Sequence, residues 1–171
     1  MSGGANLLAL AAMSVLLASC VTDARLYPDC APSATGGEIC AVPDREEVEA
    51  AATVQAWLDV YSVEWSRAQL ATVLDRTRII MGPIADMPHP CAPDAAGCFA
   101  HWLDPVEAWV DTRDADGALA EPCRGALAHE LIHAAEYVLE QSIDYEHDDV
   151  PRRWNKLLQR AKTLCAERLE Q

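Results

Sequence analysis

Basic side chains are scarce in this chain: 13 Lys and Arg stand against 27 Asp and Glu, for a formal net charge of −14 and a pI near 4.6. A nucleic-acid partner is excluded, because phosphate backbones demand a basic face. Such acidity suits a soluble protein that repels anionic membranes and other acidic surfaces. Charge is missing altogether from the first nineteen residues. Cys-x-x-Cys pairs are absent too, which argues against a cysteine zinc site. There is no internal repeat and no sign of a second domain. What remains is 171 residues with 51% hydrophobic content, enough for one cored domain and a removable leader.

The uncharged start contains an apolar stretch, Leu7 to Leu17, of signal-peptide length and too short to span a bilayer. It ends in Leu17-Ala18-Ser19-Cys20. This resembles the lipobox of bacterial lipoproteins, where the leader is cut just before a cysteine that receives lipid. The resemblance implies a leader over residues 1–19 and a lipid anchor on Cys20, in the bacterial cell envelope. It departs from the usual pattern in having no Lys or Arg before the apolar run. An ordinary cleaved signal peptide, with Cys20 incidental, is the alternative. Six further cysteines remain, an even number that suits an exported, disulfide-bonded domain. Turn-rich intervals suggest Cys30–Cys40 and Cys91–Cys98, which leaves Cys123–Cys165 to tie two helices together. Sequence alone does not exclude the other pairings. Residues 20–43 read as a tether and a cysteine-clasped loop, and residues 44–171 as the domain.

Within that domain stands His129-Glu130-Leu131-Ile132-His133, inside a run from Arg124 to Glu140 that predicts a helix. Pro122 suits its start, and apolar residues such as Leu127, Ile132, Ala135 and Val138 give it a buried face. Helical periodicity sets two histidines four apart on one face, one turn from each other. That spacing lets two neutral imidazoles bind one zinc ion, and Glu130, offset around the helix, is placed to act on a water there. An accidental match on a surface helix is the bland reading. The apolar residues on both sides of the histidines speak against it.

The rest predicts helices and short strands. Asp44 and Glu47 form a capping-box pattern before a stripe of Val54, Trp57, Leu58, Tyr61 and Trp65, with a bend or restart near Ser62–Ser66. Arg78–Met81, Phe99–Leu103 and Val106–Val110 read as three strands, separated by a Pro-rich loop from Ile84 to Gly97. Asp114, Asp116 and Gly117 sit in an acidic turn that lacks a calcium-loop pattern. Pro151 opens a last helix, with Trp154, Leu157, Leu158, Ala161, Leu164 and Cys165 on its inner face.

A catalytic zinc needs a third protein ligand and an open position. His147 lies past the end of the metal helix; Asp144, Asp148 and Asp149 are its acidic alternatives, while His89 and His101 lie upstream. Glu136 and Glu140 share the helix face of the histidines, but successive helical turns rise about 5.4 Å, too far along one rigid rod to complete a tetrahedron. They read either as partners of the ligand histidines or as solvated surface. A metal helix, a gap, a third histidine and a later aromatic residue resemble the SprT-like and minigluzincin group of zincin metalloproteases. The matching residues are His129, Glu130, His133, His147 and Trp154, within a likeness that runs from about Ala50 to Leu164. Asp148 stands where that group usually has glycine, and Trp154 falls later than is typical.

The resemblance implies a small α+β zincin with an N-terminal helix, a short three-stranded sheet, the metal helix and a C-terminal helix. It further implies Zn2+ on His129, His133 and His147, with Glu130 as catalytic base. The group's intracellular, DNA-linked substrates do not fit an acidic, exported chain. The expected function is a monomeric zinc metallopeptidase of the cell envelope, acting on a protein or peptide and touching the membrane through Cys20. Tyr145 either reaches the oxyanion or packs, and Trp109 and its strand either line the substrate or belong to the core. A zinc-stapled, non-catalytic lipoprotein module and a hydrolase of cell-wall amide bonds are the rivals.

Overall fold

Two apolar runs, Thr77–Gly82 (β3) and Val106–Asp111 (β5), are buried along nearly their whole length. Strands read this way when both faces of a sheet are covered. In the computed structural model, which describes residues 30–41, 45–83, 91–92, 95–113, 116–143 and 154–171, they pair in parallel at the centre of one sheet. Cys30–Pro32 (β1), Glu38–Cys40 (β2) and Gly97–Ala100 (β4) complete it in the order β1-β2-β3-β5-β4. Strand β2 runs parallel to β3, whereas β1 and β4 are antiparallel to their neighbours. Among the described residues the sheet thus has five strands rather than the three expected, because the cysteine-clasped loop supplies β1 and β2. The fold is a small α+β domain.

The β1–β2 turn depends on Gly37, whose φ of +75° is costly for other residues. A Cβ there would lie 2.3 Å from the Leu74 carbonyl oxygen. That glycine lets the hairpin lie against the end of the helix Arg67–Asp75 (α2). Before it, Arg45–Tyr61 (α1) carries the expected stripe, and Val54, Trp57, Leu58 and Tyr61 are all buried. The chain does restart: Ser66 caps α2, with a reciprocal capping box to Gln69. The helix that carries His129, Glu130 and His133 is Ala126–Ala135 (α3), prolonged by a π-helical turn, Glu136–Glu140. The last helix is Asn155–Leu169 (α4).

Side chains alternate across the strands, so the sheet has two different faces. Ile39, Ile79, Met81, Phe99, Val106 and Val110 join residues of α1, α2 and α3 in the main core. Fully burying each large member contributes about 1.5–3 kcal/mol. On the other face Cys40, Ile80, Ala100 and Trp109 form a smaller cluster. Arg78 there bonds Glu38 at 2.6 Å and approaches buried Glu107 at 3.5 Å, and Glu107 accepts the Trp109 indole N–H at 2.9 Å. Trp109 is therefore core, on the face away from α3. Its strand is paired on both sides and has no edge to offer a substrate.

All three disulfides anticipated from spacing are formed: Cys30–Cys40, Cys91–Cys98 and Cys123–Cys165. The last joins the turn before α3 to α4, and the Cys123 N–H donates to Glu49 of α1 at 2.8 Å. Among the described residues no helix is long and apolar enough to cross a membrane.

Candidate metal centre

Entry into α3 is set by backbone. Gly125 occupies the cap position at φ 96°, and its carbonyl accepts the His129 N–H at 3.0 Å. Pro122 stands outside the helix, in a turn that the Cys123 disulfide pins. Once started, the helix places His129 and His133 one turn apart, with their Nε2 atoms 3.1 Å from each other and the rings at 87°. Two nitrogens bound at about 2.0–2.1 Å to one tetrahedral zinc would be about 3.3 Å apart, so the donor pair fits that ion. His129 is half-buried and His133 is 4% exposed, stacked against Phe99 of β4 at 6.4 Å.

Glu130 is buried against the same strand. A Cβ at Gly97 would lie 2.6 Å from Glu130 Oε1, so only glycine there leaves room for the carboxylate. Removal from water pushes this carboxyl up to about 7, against a smaller downward pull from His133. A group poised near neutrality can both accept and return a proton.

In front of these side chains lies a cleft of about 580 Å³. One wall is the Cys91–Cys98 loop with Ala92, Ala95, Ala96 and Gly97; His129, Glu130, His133 and Ala126 form the other, with Phe99 and Trp102 alongside. Trp102 is 50% exposed. Among the described residues, strand β4 is the sheet's edge. The Asp111 N–H donates to Ala96 O at 3.0 Å, which marks 96 and 111 as a hydrogen-bonded pair. By antiparallel alternation, Gly97 and Phe99 then direct their backbone N–H and C=O groups off the edge. A peptide strand could be received there, beside Glu130.

Glu136 faces inward, not to solvent. It is 5% exposed; its Oε2 lies 3.5 Å from His133 Nδ1 and its Oε1 accepts the Trp154 indole N–H at 2.9 Å. Glu140 is exposed and accepts the Trp65 indole N–H at 3.2 Å. Glu136 thus meets the partner reading of the sequence, whereas Glu140 lies at the surface as an aromatic's acceptor.

His101 follows β4 and packs on Trp102 and on Tyr137, at 5.2 and 5.5 Å between ring centres. Among the described residues, no third His, Cys or carboxylate brings a ligand atom within 4.8 Å of both Nε2 atoms. Cys30, Glu38 and Cys40 do cluster, but the two sulfurs are bonded to each other and Glu38 pairs with Arg78. His147, Asp144, Asp148, Asp149, Tyr145, His89 and Cys20, the expected anchor, lie outside the described residues. Sequence reasoning overlooked Gly97, Phe99 and the tie from Trp154 to Glu136. Of these only Gly97 carried a signal, since glycine within a strand marks close approach by another group.

No family model matches this chain, and no curated protein or solved structure matches it either, so the likeness to zincins rests on its own residues.

Proposed function

We propose that this chain is a zinc-dependent metallopeptidase, exported and lipid-anchored at Cys20 in a bacterial envelope. One observation carries the reading: two imidazole nitrogens 3.1 Å apart and a buried carboxyl on the same helix line one open cleft. His129 and His133 would hold the ion, with His147 as third ligand. Zinc, when bound, supplies a Lewis acid that polarises a carbonyl and makes water acidic. Glu130 takes the proton of the attacking water on its carboxylate and returns it to the leaving amine. The open edge of β4 orients an extended chain through main-chain bonds at Gly97 and Phe99, while Ala92, Ala95 and Ala126 exclude water.

Two features favour a peptide over a cell-wall amide. The described walls offer a free strand edge, and beyond the site's own His and Glu they present few polar groups for a sugar. Among the described residues the cleft is open beside the histidine pair, which favours catalysis over a closed structural zinc. The disulfides are compatible with export.

The decisive test measures zinc and hydrolysis on one preparation, with unfolded protein as substrate. Wild type should carry about one zinc per chain. Glu130→Gln should keep the metal and lose roughly 10²–10⁴ in turnover. Zinc without any cleavage by wild type would make the metal structural. Loss of metal in the variant would make Glu130 a ligand.

A further inference from the structure

We infer that Glu136, held by the Trp154 indole, is a positioning residue that keeps the His133 proton on Nδ1 and so presents the bare Nε2 to the metal; this rests on the zinc reading above. A neutral imidazole carries one N–H and one lone pair, and the neighbours of each nitrogen decide which is which. Among the described residues, Nδ1 has a carboxylate oxygen of Glu136 at 3.5 Å. A carboxylate only accepts, so it favours an N–H opposite it and repels a lone pair. At that distance it acts mainly through charge, and burial leaves little water to screen it. The proton is thereby kept off Nε2, the atom that lies 3.1 Å from its counterpart on His129.

The carboxylate does not hold this pose alone. Trp154, fully buried, donates to its other oxygen at 2.9 Å. The indole is itself fixed, with ring centres 5.1 Å from Trp65 and 5.8 Å from Tyr61. Trp154 borders α4, Trp65 precedes α2 and Tyr61 ends α1. Three elements outside the metal helix thus converge on one histidine proton. Glu136 cannot itself be a ligand in this pose, because it addresses the nitrogen on the far side of the ring. Glu136 is also the first residue of the π-helical turn, at the point where the metal helix changes its winding.

The competing view is that Glu136 merely satisfies a buried indole. Glu136→Gln separates the two, since its amide oxygen still accepts from Trp154 but the charge is gone. Three measurements on the full, oxidised chain suffice: zinc affinity by competition with a chelator, the His133 tautomer from ¹⁵N chemical shifts with metal removed, and thermal unfolding. Glu136→Gln should bind zinc about 10- to 100-fold more weakly, show a mixed His133 tautomer, and unfold close to wild type. Trp154→Phe should shift affinity and tautomer the same way by less, and it carries the test should Glu136→Gln not fold. Wild-type affinity together with an unchanged Nδ1–H signal would overturn the inference. If wild type binds no zinc, the metallopeptidase reading fails on its own, and the tautomer measurement still decides the role of Glu136.

Discussion

Glu130 sets two demands against each other at the level of a single side chain. Burial that readies it as a base also makes its charge costly to the fold. Its carboxyl titrates near 7 in the folded chain and near 4.5 when unfolded, so between those values the folded state holds the extra proton. Stability from this group therefore falls as pH rises through that window, and the deficit persists above it. With metal removed, wild type and Glu130→Gln should have similar denaturation midpoints at about pH 4, where both side chains are neutral. Above neutrality the variant should be the more stable, by up to roughly 3 kcal/mol. Equal midpoints at both ends would show that the carboxylate is solvated. The pair His129 and His133 was legible in the sequence because helical spacing is a local property. The contacts that qualify the site were not. Gly97 meets Glu130, and Trp154 meets Glu136, only once a strand and a second helix have docked.

Elements differ in how far their residues announce them. The helices α1 and α2, their break at Ser66, and β3 and β5 carry clear stripes or apolar runs. Strands β1 and β2 do not. Each is three residues long, and long-range pairing with β3 and the Cys30–Cys40 bridge make them strands. Trp109 was ambiguous for a related reason: alternation assigns it a face but not which face the helices will cover. The segment between α3 and α4 bears the remaining ligand question. It leaves from Ile143 and returns at Trp154, whose indole is bonded to the neighbour of His133. Ten residues of chain are ample to bring a side chain back to the histidine pair, at about 3.3–3.6 Å per residue. His147→Ala should therefore weaken zinc binding sharply, whereas His101→Ala, beside Tyr137, should leave it nearly intact. Chelator competition distinguishes these results. An unchanged His147 variant would pass the role to Asp144, Asp148 or Asp149.

At the scale of the whole molecule, α4 is fastened near both ends, by Trp154 to the π-helical turn that prolongs α3 and by Cys165 to the turn before α3. The Cys123–Cys165 link closes a span of 42 residues that contains the whole candidate metal helix. Chain-entropy arguments give such a bridge about 4 kcal/mol. The double variant Cys123→Ser/Cys165→Ser should lose stability of that order by chemical denaturation, and its α3 should exchange amide hydrogens faster. A loss well under 1 kcal/mol would mean that packing of α1 on α4 already holds the helix. Among the described residues β4 has no strand on its outer side, which acts at this scale as well, because such an edge does not distinguish a substrate from a sister molecule. With respect to the described residues, the outward groups of Gly97 and Phe99 are open to the β4 of another copy. Mutual repulsion under a net charge of −14 opposes that pairing. That colloidal protection fades towards pH 4.6, where the charge vanishes. Light scattering on metal-free protein should then rise with acidification, and a short extended peptide seated on β4 should quench the rise.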